Sequence, residues 1–297
     1  MTSLESNPTK PTRIALLYSE VGAICRLAIL RKYRTWPLLI LPYTSTLIVA
    51  LLIAFVWFQL PDDPSSATPA FRVFTLQALF LTVCSNLGLF TIFNADRHIR
   101  LPYHAVPTNN NTVWISAGSI WYGRLLGELP VRLSCSLLAS IIIYPIVKLR
   151  SGFQYFLLYQ CAFFLQTLGN TSFGMLASAL FAEPEVSVWI AIFMNAFNYI
   201  FSGIIYTKDQ ASWILLWLRF LSVSFYVNQM LIWGQFVGRT YPASSVTGDD
   251  ILQQTGWLKV PLSISIVGVS LLIVLFNILG PLGFWATTRS RHVSLKA

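Results

Sequence analysis

Few side chains in this sequence could carry out acid–base, nucleophilic or metal chemistry, and they are not grouped as an enzyme requires. The histidines fall in no HExxH or HxxxD motif, and there is no GxSxG motif. Nor is there a GxxxxGK[ST] phosphate-binding loop. The aspartate pairs Asp62/Asp63 and Asp249/Asp250 lie in polar segments, where hydration explains them. We therefore predict no catalytic residue, cofactor or metal in this chain.

Charged residues within apolar stretches are the remaining candidates, because an ionised group is costly in lipid. Glu128, in a Gly-Glu-Leu-Pro sequence, predicts a hinge with a polar anchor near one membrane surface. The alternative is a shallow, hydrated site with Arg124 as its partner one helical turn away. We expect the charged ends of Arg72 and Arg132 to reach the membrane surface.

Two asparagines and four cysteines also occupy apolar segments. Asn195 and Asn198 are three residues apart, so they share a helix face. They either face a polar passage or join helices by hydrogen bonds, and the sequence leaves both interpretations open. The cysteines have no metal-ligand spacing, and we expect them to be small buried hydrophobic residues. They are Cys25, Cys84, Cys135 and Cys161.

These residues belong to a chain with more apolar surface than a soluble domain can bury. Of its 297 residues, 55% are hydrophobic and 10% charged, whereas soluble domains carry about 25% charged residues. The apolar runs reach the roughly 20 residues that cross a bilayer as a helix. A net charge of +9 could suit nucleic acid, but basic residues flanking membrane segments explain it better, so we expect no nucleic-acid partner.

The hydropathy pattern predicts an all-α, polytopic membrane protein with six transmembrane helices. Residues 1–12 are expected to be a disordered cytosolic tail, and residues 13–35 an amphipathic helix on the membrane surface. The fourth span is expected to be interrupted at residues 169–172. The outer loop, 207–259, is too apolar for a solvated loop and predicts re-entrant helices. The predicted spans are 37–60, 69–93, 114–147, 153–181, 186–206 and 260–285, followed by a cytosolic tail at 291–297.

Basic residues predict the orientation. With both termini in the cytosol, twelve Lys and Arg residues lie on the cytosolic side and six on the other. The membrane is either the plasma membrane or an internal membrane. Two glycosylation sequons then stay bare: the one at Asn110 is cytosolic, and the one at Asn170 lies within the membrane.

Five short features follow one another in a fixed order along residues 13–290. The basic amphipathic helix comes first. A phenylalanine and an acid–Arg pair close the second span, and a basic residue precedes Glu-Leu-Pro in the third. The fifth span ends in Phe-Ser-Gly, followed by spaced aromatic residues and a Gly-x-x-x-Leu sequence. The residues are Phe93, Asp96, Arg97, Arg124, Glu128–Pro130, Phe201–Gly203, Trp213, Trp217, Ser222, Tyr226, Phe236 and Gly248–Leu252.

Taken together, these features resemble the transmembrane domain of the white-type, or G-subfamily, ABC transporters, within the ABC-2 membrane superfamily. The resemblance implies that residues 13–290 form an ABC-2 type domain that dimerises with itself or a relative. ATP would be bound by an ATPase subunit or domain in trans. The family's ATPase domain is not in this sequence, the segment 97–128 is several residues longer than usual, and the family's outer-loop cysteines are absent.

The resemblance also implies roles for individual residues. A substrate cavity would be contacted by Leu81, Cys84, Ala196 and Tyr199. An apolar gate above it would be Ile204 and Ile205. Coupling or hinge residues would be Asp96, Arg97, Arg124, Glu128 and Pro130. The family mostly exports lipids, sterols and other amphipathic molecules, which suits a cavity with few charges.

Three functions follow as alternatives. The first is an export permease subunit that recruits an ATPase. The second is a non-transporting membrane domain, or a fragment of a longer half-transporter. The third is a membrane-bound enzyme acting on lipids.

Overall fold

The fold of the described residues is helical. A computed structural model describes residues 13–86, 89, 107–108, 111–112, 117–181, 183–203, 217–241, 246–254 and 261–294. Two-residue strands, β1 (Pro107–Thr108) and β2 (Asn111–Thr112), pair antiparallel. The helices are α1 (Arg13–Arg34), α2 (Trp36–Val56), α3 (Ala67–Asn86), α4 (Ala117–Val147), α5 (Phe153–Leu180), α6 (Pro184–Ile200), α7 (Val223–Phe236), α8 (Gly248–Gln254) and α9 (Leu262–Ser294). The predicted all-α class is confirmed.

Four helical segments are long and apolar enough to cross a bilayer. They are Leu39–Val56, Pro64–Cys84, Ala117–Val147 and Leu262–Thr287. Helix α6 is apolar but has only 17 residues. Helix α5 has 28 residues, but it carries several amides and hydroxyls. The prediction of six crossings therefore remains a prediction.

Helix α5 lies at the centre of the bundle, where its polar side chains can bond to those of neighbouring helices. It packs against α3, α4, α7 and α9, and sixteen of its 28 residues are buried. In contrast, α2 and α9 expose large apolar side chains, as a lipid-facing helix does. The predicted interruption at residues 169–172 is wrong: α5 is continuous there, because its polar side chains are held by neighbouring helices.

Helix α7 runs antiparallel to α5, over the first half of that helix. Val223 at its start packs on Gly169, and Gly234 near its end packs on Leu158. Gly169 is sixteen residues into α5, or about 24 Å from the start of that helix. The start of α7 therefore lies deep in the bundle, near the end of α6.

Two glycines let α1 approach α4 closely. A Cβ atom at Gly123 would lie 2.7 Å from Ile24 Cβ, and one at Gly127 would lie 2.6 Å from Ala28 Cβ. Glycines four residues apart form a shallow groove on a helix, which is a common way for membrane helices to pack. Further along the same end, Gly280 of α9 receives the Trp121 ring. We call this end of the bundle the α1 end.

The opposite end, here called the far end, is held by backbone and arginine contacts. The N–H groups of Gln59 and Leu60 donate to the carbonyls of Ile146 and Val147. Arg150, in the turn between α4 and α5, donates to the carbonyls of Gly234 (3.2 Å) and Val237 (2.9 Å). These carbonyls lie at the C-terminal end of α7, where cations are favoured. Arg239 and Asp62 form a 2.6 Å ion pair beside them.

Candidate functional site

A buried group of three charged side chains joins α1 to α4. The Glu128 carboxylate accepts from Lys32 Nζ at 2.8 Å and from Arg132 at 3.2 Å. The side chains of Glu128, Arg132 and Lys32 are 8%, 11% and 23% exposed. We call these three residues the Glu128 cluster. Lys32 comes from the basic end of α1, so the cluster fixes that end against α4.

Arg132 extends the cluster to a third helix. Its second guanidinium nitrogen donates to the carbonyl of Cys84, near the end of α3, at 3.1 Å. The expectation that Arg132 reaches the membrane surface is wrong, because Glu128 and this carbonyl hold it inside the bundle. Arg72 is exposed, as a side chain that reaches the surface would be.

Mutual compensation lowers the cost of burying the three charged groups of the cluster. Burial lowers the pKa of Lys32, and the Glu128 carboxylate beside it opposes that shift. Removing two such charges from water costs about as much as their attraction returns, whereas removing only one leaves its partner uncompensated. The cluster therefore specifies how α1 sits on α4 more than it adds stability.

Polar side chains also connect α3, α4 and α5 in the interior. Tyr159 donates to Gln77 Oε1, and Gln77 lies 3.4 Å from Ser140 Oγ. Thr82 Oγ1 accepts from Gln166 (2.9 Å) and Asn170 (2.8 Å). All these side chains are at most 4% exposed. Their hydrogen bonds replace those that water would make, as a buried polar network requires.

A pocket lies where α3, the end of α6 and the start of α7 meet. It contains about 230 Å³ of space not filled by protein, part of it open to the outside. Most of its lining is polar and comes from all three helices. This lining includes Thr75, Thr82, Asn195, Tyr199, Ser224 and Asn228. We call it the break pocket, because α6 ends and α7 begins there.

Asn198 holds the two sides of the break together. Its Oδ1 accepts from the backbone N–H of Val223 at 3.1 Å and from Ser222 Oγ at 3.0 Å. These contacts satisfy a free N–H at the start of α7. Asn195 and Asn198 both line the break pocket. Asn198 joins helices by hydrogen bonds, and both asparagines face a polar pocket. Each of the two interpretations from sequence, a polar passage and a link between helices, is therefore right for part of this helix face.

The residues predicted to form a substrate cavity lie in different environments. Tyr199 lines the break pocket and is 36% exposed. Leu81 is buried in the core, Cys84 is half-buried, and Ala196 is exposed on α6. The predicted gate residues, Ile204 and Ile205, lie outside the described residues.

The predicted coupling residues are only partly described. Glu128 is in the cluster, Arg124 is half-buried one turn before it, and Pro130 is exposed. Helix α4 continues through Pro130 without a break. Asp96 and Arg97 lie outside the described residues.

The comparisons with known proteins identify the family. The ABC-2 type transporter family matches residues 19–236, which is most of the chain and includes the Glu128 cluster and the break pocket. The chain belongs to the ABC-2 type transporter family. It is thus the membrane-embedded domain of a transporter, and the family points away from a catalytic role.

Similar proteins confirm the resemblance of this ABC-2 domain to the white-type group. It is 25% identical over 285 residues to Protein white of Drosophila melanogaster, covering 88% of this chain and 39% of that protein. It is 26% identical over 168 residues to Protein white of Ceratitis capitata, covering 52% and 24%. It is 20% identical over 219 residues to ABC transporter G family member 16 of Arabidopsis thaliana, covering 73% and 28%. The chain thus spans less than two fifths of the length of these curated relatives.

Several residues that matter in this ABC-2 domain were not singled out from the sequence. Gly123 and Gly127 form a Gly-x-x-x-Gly pattern, which is a recognised signal for helix packing. Lys32 was part of a general basic run, and nothing in its spacing from Glu128 predicted a contact. Asn228 fell in a stretch expected to be part of the outer loop. The prediction of buried cysteines is confirmed for Cys135 and wrong for Cys161, which is exposed, while Cys25 and Cys84 are half-buried.

Proposed function

We propose that this chain is the membrane-spanning permease subunit of an ATP-driven exporter of lipid-like or amphipathic small molecules. The ATPase would be a subunit or domain in trans, and ATP would bind there. The observation that carries this proposal is the Glu128 cluster, which ties α1 through α4 to α3. Helix α3 in turn lines the break pocket, so a movement of α1 is transmitted to a wall of that pocket.

In this proposal both termini are cytosolic and the chain crosses the membrane six times, and the contacts that bring its two ends to one side of the bundle support this path. Helix α1 and the last turns of α9 lie at the α1 end, because Gly123 contacts α1 and Trp121 contacts Gly280. Helix α5 runs from the far end to the α1 end, where Leu180 contacts Gly283. Helices α6 and α7 would then complete the fifth crossing in two pieces, with α7 as the re-entrant part.

Basic residues at the far end are the exceptions to the orientation rule, and three of them have structural partners. Arg150 holds the end of α7, and Arg239 pairs with Asp62. Lys148 reaches Gln59 Oε1 at 3.5 Å. Because these contacts account for their positions, the far end is compatible with the non-cytosolic side.

Pairing of two such domains would use the exposed side of α6. This side carries large apolar residues, including Trp189, Ile192 and Phe193. Ala196 and Tyr199 lie on the same helix and would face a cavity between the two chains, with Cys84 at its α3 wall. Leu81 is buried in the single chain and would reach the cavity only if α3 turns. Homo- and heterodimers both satisfy this arrangement.

The absence of charges in the break pocket supports an uncharged or amphipathic cargo. The lining residues of the pocket include no acid and no base. A charged solute would have to leave its ionised group there without a partner, which is costly away from water. Molecules with an apolar body and a small polar group avoid that cost.

The test is purification of the full chain from its native membrane. We expect an ABC ATPase to co-elute with it, and the complex in vesicles to show ATP-dependent export that ADP does not support. The same preparation with an ATPase subunit disabled for hydrolysis is the control. A monodisperse chain without an ATPase, and without nucleotide-dependent flux, would refute the proposal.

A further inference from the structure

We propose that the break pocket is a binding site, within one chain, for an uncharged hydrogen-bond donor: the hydroxyl group of an amphipathic cargo molecule. The identification of the ligand as transported cargo rests on the proposed function. The site itself is inferred from the side chains around Asn228.

Asn228 presents an acceptor that has no partner among the described residues. Its side chain is 0% exposed and lines the pocket, and its Oδ1 makes no hydrogen bond. Its Nδ2 donates to the carbonyl of Ser202 at 3.2 Å. Because a carbonyl only accepts, this contact fixes which end of the amide is oxygen. The group that pairs with Oδ1 must therefore donate a hydrogen bond.

The pocket favours a ligand group that is both neutral and small. The pocket lining contains no charged residue, so an ammonium or carboxylate would lack a counter-charge there. The pocket has room for about one water-sized group. A hydroxyl group satisfies both conditions.

The outer part of the pocket suits the rest of an amphipathic molecule. Ala78 and Leu79 of α3 provide apolar wall, and the half-open side is marked by Tyr199. Leu76, also on α3, is 38% exposed next to this wall. A ligand would thus place its hydroxyl group against Asn228 and its apolar chain along α3 and α6.

The position in the bundle explains why such a site belongs here. The break lies beside Gly169, about 24 Å along α5 from the far end. A helix interrupted at that depth leaves polar backbone and side-chain groups where water is scarce. Transporters commonly use interrupted helices of this kind to bind the polar part of a substrate.

The experiment uses the purified full chain in lipid nanodiscs without nucleotide. Three photoreactive probes share one sixteen-carbon chain and carry a primary alcohol, its methyl ether, or a carboxylate. Labelled peptides are identified by mass spectrometry as a function of probe concentration. We expect saturable labelling of peptides from α3 and α6, with the alcohol half-saturating at about tenfold lower concentration than the ether. The carboxylate should label these peptides more weakly than the alcohol.

A matched pair of variants tests the role of Asn228. Asn228→Leu should remove the preference for alcohol over ether. Gln229→Leu should keep it, because Gln229 is also buried on the same helix but is not among the residues that line the pocket. Equal labelling by alcohol and ether in the wild-type protein overturns the proposal, whether or not the variants fold. An unchanged preference in Asn228→Leu overturns it as well.

The result is separable from the test of the proposed function. Selective labelling without ATP-dependent export would support the site and refute the exporter. Export without selective labelling would support the exporter and refute the site. Bound water would then be the partner of Asn228 in the pocket.

Discussion

Two cations reach the buried Glu128 side chain, one from α1 and one from its own helix, and offset the cost of placing it inside an apolar bundle. The Gly-Glu-Leu-Pro sequence was enough to predict a polar anchor, since an acid in an apolar helix requires a reason. It was not enough to identify Lys32, which is 96 residues away in the chain. Contacts between distant helices depend on packing that local sequence does not encode.

Replacing Glu128 tests the anchor at the scale of one residue. Glu128→Gln should lower the free energy of unfolding by about 3 kcal/mol, because Lys32 and Arg132 would be left buried without a counter-charge. The measurement is thermal unfolding of the purified chain in detergent. Asp62→Asn is the control: it breaks a pair whose acid is 65% exposed and should cost less than about 1 kcal/mol. Equal effects of the two variants would contradict a buried anchor.

At the scale of helices, the apolar exterior was easier to predict than the polar interior. Helices α2 and α9 expose apolar side chains along their length, so their hydropathy is that of lipid-facing segments. Helix α5 faces protein on most sides, and its Gln166, Asn170 and Ser172 bond to side chains of other helices. Asn170 and Ser172 predict an interruption from sequence alone, because their partners, Thr82 and Asn277, come from α3 and α9.

The contact between α1 and α4 depends on the absence of a side chain at Gly127. Gly127→Ala should push α1 away and destabilise the fold by about 1–3 kcal/mol, because its Cβ would lie 2.6 Å from that of Ala28. Gly22→Ala is the matched control on α1, where a Cβ meets no atom within 4 Å. This second change should be neutral or stabilise by up to about 1 kcal/mol. Thermal unfolding separates the outcomes, and similar shifts would argue against close packing.

The end of α7 depends on Arg150 in the same way. Arg150→Met should release the carbonyls of Gly234 and Val237, and we expect amide hydrogen exchange near the end of α7 to rise by about tenfold. Lys148→Met, two residues away, removes only a 3.5 Å exposed contact and should leave exchange unchanged. Unaltered protection of α7 in Arg150→Met would show that other contacts hold this helix.

At the scale of the whole molecule, orientation can be tested with a new glycosylation site. Gly238→Asn creates an Asn-Arg-Thr sequon at the far end, on a residue with φ +65° that asparagine tolerates. No atom lies within 4 Å of a Cβ there. We expect a glycosidase-sensitive shift in gel mobility when the chain is expressed in a glycosylating cell. The same change combined with Thr240→Ala should stay unmodified, and a glycan on Asn110 would invert the topology.

The apolar gate implied by the family resemblance can be tested through transport by the assembled molecule. Ile204→Asp combined with Ile205→Asp should abolish export while ATP hydrolysis by the partner continues, because two carboxylates obstruct an apolar passage. Ile204→Leu combined with Ile205→Leu keeps the apolar character and should retain export. Flux measured in vesicles is the readout, and intact transport by the double aspartate variant would eliminate this gate.

The shortness of α6 has a consequence for how the protein is made. Its 17 residues extend about 26 Å, less than the roughly 30 Å hydrocarbon core, and the preceding α5 is rich in amides. We expect each segment to enter lipid from the translocon less readily than α2 or α9, whose spanning windows have mean hydropathies of 2.3 and 2.6. We expect both segments to stay at the insertion machinery until they can pack against α3 and α4. The strongly apolar α9 is synthesised last and would then complete the bundle.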